Sequence, residues 1–323
     1  MRTEVLAAAA LAVPFVLGAL AAPAPVDADV AFAFADPEIL ESSGLVVGER
    51  YAVTVNDSGD EARIFTVDVA TGETVGVTRW EGEARDVEAL APASENEVWV
   101  GDIGDNLEAR DSVRVTRVPF GAGDRTVAGV GYDLTFPGGA RDAEALLSDP
   151  VTGRLYVVSK HVLGGTIYAA PEVLDAERPN RLVEVGEAPG LITDAAFFPD
   201  GRHVVMRNYG QGILFAVDAD GWRELGTFAL PPQQQGEGIA VSPDGWIHLS
   251  SEGAEAEVLR IELPDDLATE VPRPTTDADA DAPARSAADD TTLRPERDPW
   301  PWVLGSIFAV LAMVVLVRSL RPR

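Results

Sequence analysis

Five copies of an acidic-and-small pentapeptide, each followed by paired β-rich runs, predict an all-β fold: a single β-propeller of five blades, with six as the alternative. The copies are Glu41-Ser42-Ser43-Gly44-Leu45, Asp86-Val87-Glu88-Ala89-Leu90, Asp142-Ala143-Glu144-Ala145-Leu146, Thr193-Asp194-Ala195-Ala196-Phe197 and Gly236-Glu237-Gly238-Ile239-Ala240. They recur about every 45–55 residues, the spacing of propeller blades or of another repeat array. A second observation closes the ring. The fifth unit has three candidate strands where the others have four, and a spare run, Val30–Phe34, precedes the first unit. An N-terminal strand that completes the last blade removes an exposed edge. The third observation is the lack of a helical period outside two terminal apolar segments, which disfavours a βα fold. A pair of β-sandwiches accounts for the strands but not for the recurrent motif.

From the N-terminus, residues 1–24 read as a secretory signal peptide: Val5 to Ala22 are largely apolar, and Ala19 and Ala21 offer a small-residue cleavage point. The weak basic start, Arg2 offset by Glu4, leaves an uncleaved N-terminal anchor as the alternative. The propeller domain is assigned to residues 29–263. Its strands follow period-2 patterns rich in Val, Tyr, Phe and Trp between Gly, Asp and Pro. In the first unit they are Leu45–Val47, Tyr51–Val55, Arg63–Val67 and Thr74–Trp80, and the same order repeats through the fourth unit. The long stretch from Arg114 to Ala140 leaves room for extra structure, which is the source of the six-blade alternative.

Residues 264–299 are rich in Pro, Asp, Ala and Thr, bury too little apolar surface to order, and read as an acidic disordered stalk, with an interaction tail as the alternative. Residues 300–317 carry no charge and at about 1.5 Å each span roughly 27 Å, enough for a transmembrane helix. Trp300 and Trp302 suit the outer interface, and Arg318, Arg321 and Arg323 form a basic cytoplasmic tail, 318–323. The expectation is a single-pass plasma-membrane protein, held by its C-terminal helix with the propeller outside the cell.

Composition narrows function. The chain has 323 residues, no cysteine, 53 acidic against 25 basic residues and a formal charge of −28. Without cysteine there is no disulfide framework and no thiolate ligand or nucleophile. The acidic balance argues against a nucleic-acid partner, whose phosphates need a positive footprint. No nucleophile elbow, Walker loop or dinucleotide fingerprint occurs.

Innermost propeller strands line a central channel, so the repeated motif places Glu41, Asp86, Glu88, Asp142, Glu144, Asp194 and Glu237 around one mouth. Carboxylates so crowded repel unless a cation joins them or some are protonated. An all-oxygen ligand set suits Ca²⁺ or Mg²⁺. The plainer reading is that these carboxylates accept backbone N–H bonds and lock blade to blade, and the two roles are compatible. A tighter recurrence, Asp57-Ser58-Gly59-Asp60 and Asp102-Ile103-Gly104-Asp105, adds Asp57 and Asp102 as ligand or loop-bracing candidates; turn chemistry alone explains one aspartate per copy, not two. The equivalent strand ends of the later units carry Lys160, the chain's one lysine, then Arg207-Asn208 and Ser251-Glu252. Lys160 and Arg207 are therefore candidates for an anionic ligand, and His161 is the nearest thing to a general base.

The strings Asn56-Asp57-Ser58-Gly59-Asp60, Gly101-Asp102-Ile103-Gly104-Asp105-Asn106, Asp142-Ala143-Glu144-Ala145-Leu146 and Gln235-Gly236-Glu237-Gly238-Ile239-Ala240 resemble those of exported bacterial β-propeller proteins of WD40-like, NHL-like or esterase-like-phytase type. More distantly the chain resembles calcium-dependent phosphotriesterases, lactonases and propeller phytases. That resemblance implies a Ca²⁺ cage of Glu41, Glu88, Glu144 and Glu237, with Lys160 and Arg207 holding an anionic substrate. Two functions follow as expectations: a cell-surface binding or scaffold module with a divalent cation in its channel, serving an extracellular protein or small anionic ligand, or a calcium-dependent hydrolase of phosphoesters, esters or lactones. A purely structural surface protein is the third.

Overall fold

The computed structural model describes residues 24–57 and 59–271. The predicted signal peptide, most of the stalk, the membrane span and the basic tail lie outside them. Among the described residues no helix is long and apolar enough to cross a membrane.

After β1 (Ala28–Ala33) the first blade is built from β2 (Ser42–Val47), β3 (Tyr51–Asn56), β4 (Arg63–Asp68) and β5 (Thr74–Trp80). The second uses β6 (Val87–Ser94), β7 (Glu97–Asp102), β8 (Val113–Pro119) and, beyond β9 (Arg125–Val127), β10 (Val130–Thr135). The third uses β11 (Ala143–Ser148), β12 (Leu155–Ser159), β13 (Gly165–Ala169) and, beyond the two-residue β14 (Asn180–Arg181), β15 (Val183–Ala188). The fourth is β16 (Asp194–Phe197), β17 (His203–Arg207), β18 (Gln211–Asp218) and β19 (Gly221–Ala229). The fifth is β20 (Gly236–Val241), β21 (Ile247–Ser251) and β22 (Glu257–Ile261), with β1 as its outer strand.

The innermost strands β2, β6, β11, β16 and β20 pack on one another in a closed ring. Closure comes as expected: β1 pairs antiparallel with β22, Ala28 opposite Ile261 and Ala33 opposite Glu257. The described residues thus form a single five-blade propeller. The stretch from Arg114 to Ala140 is not a sixth blade. It leaves β8, runs as β9 in parallel beside β5 of the preceding blade, and returns as β10 against β8. β14 repeats the device one blade later, lying parallel to β10. Both insertions cover the outer edge of a preceding blade, which blocks edge-to-edge pairing with other chains.

Alternating side chains send one apolar set to each face of every blade, and neighbouring faces meet. Among the described residues this gives one apolar cluster per blade interface. Between blades 3 and 4, for instance, Leu147, Val158 and Ile167 meet Val204, Met206 and Phe215. Trp222 packs there against Tyr156 and Phe197, at 5.3 and 5.9 Å between ring centroids. The chain does not leave the propeller at Leu263, where the sequence places the start of the stalk. A single helical turn, α1 (Asp265–Ala268), follows, and Leu267 and Val271 are buried against Phe228, Leu230 and Ile261. The apolar pair in an otherwise acidic run is the physical reason the order extends this far.

Candidate functional site

The innermost strands share a local irregularity. Opposite β3, β7, β12 and β21, strands β2, β6, β11 and β20 each carry a bulge, at Ser43, at Glu88, at Glu144 and across Glu237-Gly238. A bulge adds a residue to one strand and re-aims its side chain. Here it concentrates Glu88, Glu144 and Glu237 at one channel mouth, and they are only 4%, 5% and 6% exposed. β16 has no such irregularity against β17.

Carboxylate oxygens of Asp57, Asp86 and Glu88 all lie within 4.8 Å of one another. Asp57 directly follows β3, the second strand of blade 1, and the other two come from the start of blade 2. Ser43 Oγ donates to Glu88 Oε2 at 3.2 Å. Gly104 lies directly against this cluster: a Cβ there would sit 2.5 Å from the Asp86 carboxylate and 2.8 Å from Glu88 Oε1. Glycine at this position gives the acids their space. Burial is the chief reason the Glu88 carboxyl is pushed far above the ordinary range, and the Glu144, Asp57 and Asp86 charges push the same way. Burial raises Asp86 too, assisted by Asp57 and Asp142.

Beside this cluster, Lys160 Nζ lies 2.9 Å from Glu144 Oε1 and 3.3 Å from the Tyr209 hydroxyl, to which it donates. Burial raises Glu144 although Lys160 opposes it, and burial also lifts Glu237 to about 7. Burial by itself lowers Lys160, but Glu144 more than reverses that, and the ammonium is held charged. Glu237 Oε2 is buried without a hydrogen-bond partner. Such a group is costly unless something charged reaches it.

The other predicted residues sit elsewhere. Glu41 is exposed and forms an isolated bridge with Glu252 at the rim. Asp102 braces its own loop: its Oδ1 accepts from Arg110 Nη1 at 2.7 Å and from the Asp86 N–H at 3.1 Å. Its Oδ2 accepts the Arg85 N–H. The second aspartates of the two Asp-x-Gly-Asp copies are braces as well. Asp60 is paired with Arg63 and Asn56, and Asp105 accepts the Ala109 and Arg110 N–H groups. The Asp105 N–H in turn donates to Asp142 Oδ1 of blade 3 at 2.8 Å, so this loop locks two blades.

Arg207 is fully buried, with Nη1 donating to the Gly238 and Ser250 carbonyls of blade 5. It ties blades 4 and 5 together and does not line an open ligand site. Asp194 is also fully buried and accepts the N–H groups of Ala195 and, from blade 5, Ile239. His161 is exposed, and its Nδ1 accepts the Leu163 N–H. The mouth therefore gathers Asp57, Asp86, Glu88, Glu144, Glu237 and Lys160 from the predicted set and adds Tyr209. Sequence reasoning missed Tyr209 because its only signal is position, two residues past the end of β17.

The opposite end of the channel holds a cavity of about 770 Å³ lined from every innermost strand, by Leu45, Leu90, Leu146, Phe197 and Val241 among others. Its wall also includes Pro92, Pro150, Pro199 and Pro243. The titratable cluster and this apolar mouth are thus at opposite ends of the same five strands.

No protein-family model matches the chain, and no curated protein matches it. Several solved structures are similar. A glucose dehydrogenase is 11% identical over 74% of this chain and 100% of its own, with a TM-score of 0.44. A glutaminyl cyclase of Myxococcus xanthus is 13% identical over 75% and 100%, with a TM-score of 0.47. The periplasmic gluconolactonase of Pseudomonas aeruginosa is 19% identical over 66% and 65%, with a TM-score of 0.39. At these identities and TM-scores none of the three says what this chain binds or does.

Proposed function

We propose that this propeller is a binding module whose channel mouth holds a divalent cation, Ca²⁺ by its all-oxygen donor set, between Asp57, Asp86 and Glu88. The observation that carries the reading is the meeting of those three carboxylates within 4.8 Å, in a mouth where burial first, and then the charges of Glu144, Asp57 and Asp86, push the Glu88 carboxyl far above its ordinary range. A divalent ion among these carboxylates offsets the repulsion between them. Glu144 stands next to the cage as a further donor, and Lys160 with Tyr209 offers the complementary place for an anionic ligand. In this reading the module stands outside the cell on its C-terminal anchor.

A calcium-dependent hydrolase is the second reading, and one observation favours it. Glu237, raised to about 7 and lacking a partner on Oε2, is a carboxyl able to take a proton at neutral pH. Calorimetric titration of Ca²⁺ into the chelator-treated full chain tests the cation. Micromolar or tighter binding with a raised Tm supports it; no heat and no shift removes it and leaves the carboxylates as blade locks. Turnover of p-nitrophenyl esters and phosphates that vanishes in Glu237→Gln separates the second reading from the first.

A further inference from the structure

In a chain that otherwise uses arginine throughout, the single lysine is placed in the acidic mouth. The difference matters physically. An ammonium is a compact point charge on a flexible four-carbon stem, whereas a guanidinium is a planar fork. Lys160 Nζ therefore resembles a small cation on a tether. It sits between Glu144 Oε1 at 2.9 Å and the Tyr209 hydroxyl at 3.3 Å, and lies over the Tyr209 ring 5.6 Å from its centroid. Glu144 is buried while Tyr209 is exposed, so the lysine bridges the interior of the mouth and its open rim. One ammonium stands among the three acids Glu88, Glu144 and Glu237, and Glu237 Oε2 has no hydrogen-bond partner.

We propose that Lys160 is a tethered counter-ion: it neutralises Glu144 until the divalent cation arrives, and its released ammonium then forms, with the Tyr209 hydroxyl, a binding site for a phosphate or carboxylate anion. This rests on the cation reading above and adds an order to it. A divalent ion beside Glu144 takes over the attraction that holds Lys160 and repels the ammonium, since like charges a few Å apart in a poorly solvated mouth repel strongly. The stem then swings outward past the Tyr209 hydroxyl, which Nζ already touches at 3.3 Å and which is free to turn its own proton to the same anion oxygen. Binding is then coupled. The anion tightens the cation by the same factor as the cation tightens the anion.

Calorimetry on the full chain tests this, with Ca²⁺ and methyl phosphate titrated singly and each in the presence of the other. In the wild type the expected coupling is roughly tenfold and equal in both directions. Lys160→Met should bind Ca²⁺ roughly tenfold more tightly than wild type, because a competing charge is gone, and should lose the coupling. Glu144→Gln removes the tether, so methyl phosphate should bind with or without Ca²⁺; this variant decides the matter if Lys160→Met fails to fold. Tyr209→Phe keeps the ion pair and should weaken only the phosphate, by a few-fold. Ca²⁺ binding without coupling, or with unchanged affinity in Lys160→Met, overturns the inference and leaves the cation site standing. If neither wild type nor Lys160→Met takes up Ca²⁺, both fall.

Discussion

Blades 3 and 4 begin with closely similar segments and put them to opposite uses. In blade 3, Asp142-Ala143-Glu144 carries a bulge against β12, and Glu144 turns into the channel mouth to meet Lys160. In blade 4, Thr193-Asp194-Ala195 pairs with β17 in unbroken register, and Asp194 turns into the blade interface. There it accepts two backbone N–H groups, one from each of blades 4 and 5, at 2.8 and 2.9 Å. One residue of register decides whether a carboxylate becomes available to a ligand or is consumed by the fold. Channel lining and blade locking are thus not rival explanations of the repeated acid; they are assigned blade by blade.

The largest expected effect tests the locking side. Asp194→Ala strands the buried Ala195 and Ile239 N–H groups and removes one of the two carboxylates, Glu237 being the other, whose charges act on the buried Arg207, a loss on the order of 3–5 kcal/mol. Urea unfolding should show it, or the variant should fail to fold. Asp194→Asn, which keeps one acceptor, should lose clearly less. An Asp194→Ala protein as stable as wild type would erase the distinction between the two blades.

On the ligand side, Glu88→Gln should lower Ca²⁺ affinity on the order of a hundredfold, or about 3 kcal/mol, while leaving the fold intact. Without chelated metal the variant should even melt slightly higher than wild type, since it removes a buried acid from a crowd of like charges. Wild-type affinity in Glu88→Gln would take this residue out of the cage.

The same comparison shows what the amino-acid pattern can and cannot carry. The five-blade ring was legible because the motif spacing and the orphan strand are arithmetic on one dimension. So was the clustering of Glu88, Glu144 and Glu237, which hold a recurrent place near the start of the innermost strand. The bulges were not. A bulge depends on which residue faces which across two strands, and the fourth pentapeptide, Thr193–Phe197, carries one acid just as the bulged first and fifth do. The roles of Asp102, Arg207 and Glu41 were hidden for a related reason. Each stands at the expected end of a strand, but its partners, Arg110, the Gly238 carbonyl and Glu252, come from loops or blades whose approach only the packed ring sets. Of the four aspartates in the two Asp-x-Gly-Asp copies only Asp57 meets the carboxylate cluster, and the other three brace loops.

Acidity sharpens the contrast in another way. Glu237 titrates at about 7 in the folded chain against about 4.5 unfolded, so the folded state binds its proton more tightly. Its contribution is complete below pH 4.5 and is lost as pH rises through 7, by about 3 kcal/mol. Glu144 and Glu88 shift in the same direction. In chelator the Tm should therefore fall between pH 4.5 and 7.5, and Ca²⁺ should flatten that fall because the ion replaces the protons. Asp194 is raised too, by burial, so the wild-type slope contains a locking contribution; the difference between the wild-type and Glu237→Gln slopes isolates the part carried by Glu237. An identical slope in that variant would mean that Glu237 does not contribute to it.

The smallest effect separates the two aspartates of one loop. Asp60 is partly exposed and paired with Arg63 Nη2 at 2.8 Å, with Asn56 Nδ2 donating to it at 2.9 Å. Ion pairs of this kind contribute roughly 1 kcal/mol or less. Asp60→Ala should thus cost little stability and leave Ca²⁺ affinity within about twofold, because the loop retains Asn56 bonded to the Leu40 and Glu41 N–H groups. Asp57→Asn, three residues earlier, should weaken Ca²⁺ at least tenfold and leave stability nearly unchanged. If both variants weaken the ion equally, the loop acts as one unit and the cage is positioned by Asp60; if neither does, the cation does not depend on blade 1.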